Sequence, residues 1–153
     1  MADVRVNARD IIIEVEDETA GTWLPIERLQ SVTFSRGENE ETAETSDFES
    51  QGAFEQDIMQ RGASAELEGL EIRDNTTGAT PPGRARIEAL GGEDAVGYAS
   101  HGRVRFRYPF DTEWTIWDVT VTLGETGGGT NDKSSWSATL TKSGRSTREA
   151  VTP

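Results

Sequence analysis

A mainly β fold is what this sequence predicts: an antiparallel sandwich or open barrel with one flanking α-helix and one long mobile loop. Three observations predict it. Apolar and polar residues alternate with period two in roughly eight segments. Only one segment carries helix signals at both ends. Hydrophobic residues make up 33% of the 153 residues, a lean share that suits strands giving only alternate side chains to an interior.

The elements follow in order. Ile11-Ile12-Ile13-Glu14-Val15 is a β-branched run ended by the acidic stretch 17–21. Trp23-Leu24-Pro25-Ile26 reads as an edge segment, because Pro25 has no N–H to give a ladder. Over residues 29–36, Val32 and Phe34 share one face while Ser31, Thr33 and Ser35 share the other. Ala63, Ala65 and Leu67 alternate with Ser64, Glu66 and Glu68, and Leu70 and Ile72 resume in the opposite phase. A bulge is expected at the intervening Gly69. Residues 74–78 form a turn cluster. The helix is expected to open with Thr80 as N-cap and Pro81 in first position, to bury Ala85, Ile87, Ala89 and Leu90, and to stop at Gly91-Gly92. Val104, Phe106 and Tyr108 then alternate with Arg103, Arg105 and Arg107. After a turn at 109–112, Trp117, Val119, Val121 and Leu123 share a face. A glycine loop spans 124–129, and the last strand carries Trp136, Ala138 and Leu140. The whole, 1–153, reads as one domain with an N-terminal arm at 1–9 and a polar C-terminal tail at 144–153.

Composition narrows the function. The chain has no cysteine, which excludes disulfides and thiolate metal sites. No apolar run approaches the roughly 18 residues of a membrane span. Residues 1–10 lack the apolar segment of a signal peptide, so synthesis in a cytoplasm without a membrane address is expected. The net charge is −13, and it is lopsided: residues 1–80 hold 19 acids and 6 bases, residues 81–153 hold 9 of each. Such a balance argues against binding nucleic acid by neutralising phosphates. It leaves two readings, a solubility surface or a surface that repels a polyanion.

Residues 37–60 stand apart. Glu38, Glu40, Glu41, Glu44, Asp47, Glu49, Glu55 and Asp57 fall there with no Lys or Arg between Arg36 and Arg61, and apolar content is thin: Phe48, Phe54, Ile58 and Met59. A long loop is expected, either functional or disordered.

Catalytic constellations are weak. His101 is the one histidine, expected in a loop beside Gly102, and nothing marks a nucleophile or an orienting acid for it. A single imidazole does not make a zinc site, and Glu38, Glu40 and Glu41 lack calcium-loop spacing. Gly124-Glu125-Thr126-Gly127-Gly128-Gly129 lacks the Gly-Lys-Ser/Thr continuation of a phosphate cradle. No cofactor is expected and no enzyme. The Arg103, Arg105, Arg107 row needs facing acids, and Glu66 and Glu68 offer a matching row, within the sheet or across a subunit boundary. A β-sandwich module binding carbohydrate or protein through loops such as 124–132 is the rival reading from another class.

Three groups of residues resemble the major tail tube proteins of siphophages. They are Asp10-Ile11-Ile12-Ile13-Glu14-Val15 with Trp23 and Val32-Thr33-Phe34; Glu44-Thr45-Ser46-Asp47-Phe48-Glu49-Ser50-Gln51-Gly52 with the strand at 63–69; and the short helix followed by Val104-Arg105-Phe106, Trp117-Asp118-Val119-Thr120-Val121-Thr122 and Ser135-Trp136-Ser137-Ala138-Thr139-Leu140. The resemblance runs from about residue 10 to 147. It implies a subunit that closes into hexameric rings, stacked as a hollow tube in a virion tail. The tube would enclose a tape-measure protein, end in terminator and tail-tip proteins, and pass genomic DNA without binding it specifically. Contractile-tail and type VI secretion tubes share this fold, so a contractile tail or injection system is the nearer alternative. Glu38, Glu40, Glu41, Glu44, Asp47, Phe48, Glu49, Phe54 and Ile58 are then the candidate contacts between subunits or rings, expected to order on docking.

Overall fold

The structure, a computed structural model, describes residues 2–152; Met1 of the expected arm and Pro153 of the expected tail lie outside the described residues. Eight strands and one α-helix follow in order: β1 Ile12–Glu16, β2 Trp23–Pro25, β3 Leu29–Glu44, β4 Gln56–Leu70, α1 Pro82–Leu90, β5 His101–Arg107, β6 Glu113–Leu123, β7 Ser135–Lys142 and β8 Thr147–Ala150. All belong to one antiparallel sheet in the order β2-β1-β5-β6-β7-β4-β3, with β8 paired to β6 where β7 has left it. The fold is mainly β, and the sheet is not closed.

Alternation positions the core. Ile13 and Val15 of β1, Val104 of β5, Trp117 and Val119 of β6, Trp136, Ala138 and Leu140 of β7, and Ala63, Ala65 and Leu67 of β4 point to one buried face. The sheet folds over on itself. Phe34 of β3 packs 4.6 Å from Phe106 and 5.8 Å from Trp117, although three strands separate β3 from β5 in sheet order. Phe106 meets Trp117 edge-on at 4.9 Å, so three rings bridge β3 to β5 and β6 through one tilted contact and two of the T-shaped contacts that aromatic quadrupoles favour.

Helix α1 caps the end of the sheet, but on a different stripe from the one expected. Gly83, Arg84, Ile87 and Leu90 are buried, whereas Ala85 and Ala89 face solvent. The cap position is Pro81, one residue past Thr80. The reason is a close approach: a Cβ on Gly83 would stand 2.1 Å from the Pro25 carbonyl oxygen. Only a glycine lets the first turn press on β2, and that contact sets the rotation of the helix.

Two further expectations change. Gly69 carries no bulge on its own strand. It is buried in phase with Ala63, Ala65 and Leu67, and the β4–β7 register runs unbroken from Ser64↔Thr141 to Leu70↔Ser135. The irregularity lies opposite, on β3 between Leu29 and Ser31, beside Arg28 at φ +62°. A Cβ on Gly69 would come 3.0 Å from the Arg28 carbonyl oxygen and 3.1 Å from the Trp136 indole nitrogen, a tight fit that asks a neighbour to give by a few tenths of an ångström. The polar tail is partly a strand, since β8 pairs Thr147 to Ala150 with Ile116 to Glu113.

Candidate assembly surface

The acidic segment 37–60, expected as a long loop, is a projecting β-hairpin with a short tip. Pairing of β3 with β4 runs on to Glu44↔Gln56, well past the last β4–β7 pair at Ser64↔Thr141. Eight further residues of β4 at about 3.3 Å each carry the hairpin roughly 25 Å beyond the sheet. The ladder supplies its own backbone partners, which is why it forms despite having no core. Register shifts fall between Ser35/Glu38, Glu38/Glu41 and Glu41/Thr42, and Asn39 takes φ +56°. Residues 35–42 and 51–61 are exposed, so neither face of the hairpin shows the apolar alternation that identifies a strand in sequence.

The tip is tied rather than loose. Thr45 donates its N–H to the Glu55 carbonyl at 2.9 Å, and the Glu55 N–H reaches the Ser46 hydroxyl at 2.7 Å. Asp47 then caps a 3-10 turn over Phe48–Ser50, accepting from the Ser50 N–H at 3.0 Å, while the Ser50 hydroxyl receives the Asp47 N–H. This turn presents Phe48 with 99% of its surface in solvent; Phe54 and Met59 are each 69% exposed and Ile58 40%. Glu38, Glu40, Glu41, Glu44, Glu49, Glu55 and Asp57 surround them. Among the described residues only Glu40 of these acids meets a cation, Arg61 at 3.6 Å. Among the described residues the exposed apolar side chains of this acidic hairpin join no core cluster.

The arginine row finds its carboxylates elsewhere than expected. β4 is separated from β5 by β7 and β6, so Glu66 and Glu68 do not reach the row within the chain; they face out opposite Thr33 and Ser31. Instead, Arg105 lies 2.6 Å from Glu14 and Arg103 3.0 Å from Glu16, both on β1. Arg105 is stacked between two indoles, 4.5 Å from the Trp23 ring and 4.2 Å from Trp114, and Arg107 covers Trp114 from 4.9 Å. These guanidinium planes roof a second apolar cluster on the outer face, where Trp114 and Ile116 are 7% and 4% exposed. The sequence did carry a signal for it: Glu14 and Glu16 share the two-residue spacing of the arginines, and Trp114 and Ile116 share the other face of β6.

Arg84 is the residue that sequence reasoning missed. It is buried under α1, bonds Glu71 and, at 2.7 Å, Glu88 one turn on, and lies 5.1 Å from the Trp136 ring. Burial alone would raise the Glu71 pKa. Hydrogen bonds from Arg73 and Arg84, with the charges of both, outweigh it and hold Glu71 below the usual carboxylate range. A carboxylate depressed in the folded state stabilises above its unfolded pKa, and that contribution is lost as pH falls through the folded value. Wild type is therefore expected to lose stability on the acid side of the ordinary glutamate range, and Glu71→Gln to flatten that part of a Tm-against-pH curve. An unchanged acid limb in Glu71→Gln would show that the clip contributes nothing.

His101 opens β5 rather than lying in a loop, and its Nδ1 is 3.3 Å from Asp118 across the β5–β6 pair. Both side chains are largely exposed. Among the described residues no group of three His, Asp or Glu side chains is placed to hold a metal ion, and no helix is long and apolar enough to cross a membrane.

No family model matches the sequence, and no curated protein matches it. Solved structures do match. A chain in the tail of an empty gene transfer agent particle, refined helically with C6 symmetry, matches with TM-score 0.68 at 22% identity, covering 94% of this chain and 98% of that one. A chain in the virion of the native gene transfer agent particle matches with TM-score 0.63, again at 22% identity, over 94% of this chain and 98% of the other. A chain in the sixfold-symmetrised baseplate of the anti-feeding prophage matches with TM-score 0.60 at 9% identity, over 98% of both chains. The likeness is one of fold, spans nearly the whole chain, and includes the projecting hairpin only as part of that span. The chain shares its fold with these chains of tail, virion and baseplate particles.

Proposed function

We propose that this chain is a non-enzymatic structural subunit that closes into hexameric rings and stacks them into the hollow tube of a siphophage-type tail. The observation that carries this reading is the fold likeness over at least 94% of the chain to components of assembled tail particles. The sixfold symmetry of two of those particles supports the ring number. The hairpin supports the assembly step: its tip buries nothing in the single subunit, and docking Phe48, Phe54 and Ile58 on a neighbouring subunit or ring would remove that surface from water. Acids of residues 1–80 would line the lumen in part, so that DNA passes without sticking. The tape-measure, terminator and tail-tip proteins are the other expected partners, in a virion whose tail is assembled in the host cytoplasm.

Negative-stain microscopy of concentrated protein tests the reading, with rings or tubes as the expected result. A subunit that stays solitary at every concentration overturns it. The likeness to a baseplate chain of the anti-feeding prophage favours one second reading, a tube subunit of a contractile tail or injection machine. A sheath protein copurifying with the tube from native particles would decide for that alternative.

A further inference from the structure

Residues 2–7 have the pattern of a strand without the partner of one. Ala2, Val4 and Val6 alternate with Asp3, Arg5 and Asn7. The backbone is extended at Asn7 and enters the 3-10 turn Ala8–Asp10, which the Asn7 amide pins by donating to Asp10 at 3.2 Å. Among the described residues no strand pairs with this segment, and Val4 and Val6 stand 64% and 46% exposed.

The same subunit offers a place that lacks a strand. Among the described residues β3 pairs with β4 along one edge and with no strand along the other. Because the sheet does not close, a groove of about 660 Å³ runs between that free edge and the start of β1. Ile11, Ile13, Ile26, Leu29 and Val32 line it, interspersed with Arg9, Arg28 and polar residues of β3. The subunit's own arm starts at the lip of the groove, at Ala8, and stays out of it, as the exposure of both valines shows.

We infer that residues 2–7 of one copy add as a strand to the free edge of β3 in a second copy, seating Val4 and Val6 in this groove. Three features match. Among the described residues the arm's backbone groups have no backbone partner apart from the Asn7 carbonyl, which accepts from the Asp10 N–H, and β3 pairs with no strand along its outer edge, so the pairing satisfies both. The two valines, spaced by two residues, fall on one face of an added strand and so can meet the apolar part of the lining together. Donor and acceptor are different surfaces of one chain, so the contact is head-to-tail and generates a ring or a filament instead of a closed pair. The inference rests on the self-assembling reading above but uses neither the hairpin nor its tip, and it covers an edge that would otherwise template disordered aggregation.

Mixed single-cysteine proteins test it. The chain has no native cysteine, so Val4→Cys in one protein and Val32→Cys in another, size-tagged, protein are the only thiols present. A short bis-maleimide is expected to link them into a mixed dimer, and to fail with Glu93→Cys, an exposed position beyond α1, in place of Val32→Cys. The double change Val4→Asp with Val6→Asp is expected to abolish particle formation while leaving the subunit's circular dichroism unchanged, since both positions are exposed. Mixed dimers no stronger than with Glu93→Cys overturn strand donation, whether or not tubes are seen. Tubes without the mixed dimer leave the tube reading standing and remove this one; a mixed dimer without rings or tubes does the reverse.

Discussion

Replacing Phe48 and Phe54 by Asp is expected to abolish rings and tubes and to leave a folded, monomeric subunit. Both side chains are exposed and touch no core, so their loss removes nothing from the single chain. In an assembled contact each would be an aromatic anchor of the sort that carries most interface energy, about 2 kcal/mol or more apiece. A charged group in that place adds desolvation cost and repulsion from the hairpin's own acids. Sedimentation and electron microscopy read the assembly, and thermal unfolding reads the fold. Tubes of normal appearance from the double variant would show that the tip is not an assembly contact. A fall in Tm comparable to that of a core variant would show instead that the tip packs within its own subunit.

Trp117→Ala is expected to produce the largest loss of stability of any single change, about 3–5 kcal/mol. Trp117 is 6% exposed, meets Phe34 and Phe106 edge-on, and connects the β6 core to the edge strand β3 across the fold. Its removal opens a cavity where the sheet folds over and leaves Phe106 as the one ring against which Phe34 of β3 packs. For a chain of this length the cost corresponds to a fall in Tm of roughly 10 °C. Trp114→Ala offers the comparison. Trp114 is equally buried but sits under the arginine row on the outer face, so its loss is expected to cost less and to loosen Arg105 and Arg107. Equal losses from the two variants would mean that the outer cluster is as much a core as the inner one.

Several elements are legible in the amino-acid sequence alone. The alternation of Ile13 and Val15, of Trp117 and Val119, and of Trp136, Ala138 and Leu140 matches the buried face residue for residue, because a half-buried strand writes its burial into a period of two. Pro25 marked β2 as an edge strand, and it is one. The hairpin was not legible as strands. With both faces in water, its residues are free to be Glu, Thr or Gln, and backbone pairing leaves no trace in side-chain hydrophobicity. Nor was the helix rotation: Ala85 and Ala89 are small enough for either face, and the contact of Gly83 with Pro25 joins segments distant in the chain. The arginine row was visible as a row, but its partners depend on which strand lies beside β5.

The order of residues by itself determined the fold class, the inward faces of most strands, the acidic excess of the first half and the absence of any thiol chemistry. Those properties are local or compositional, each carried by the neighbours along a single strand. The tertiary structure alone decided that β1 rather than β4 neutralises the arginines, that Arg84 is buried against Glu71 and Glu88 with Arg73 beside Glu71, and that the acidic segment stands out as a hairpin. The physical reason is the same in each case: sheet order is settled by the sum of many weak, long-range contacts, and no short stretch of chain contains it.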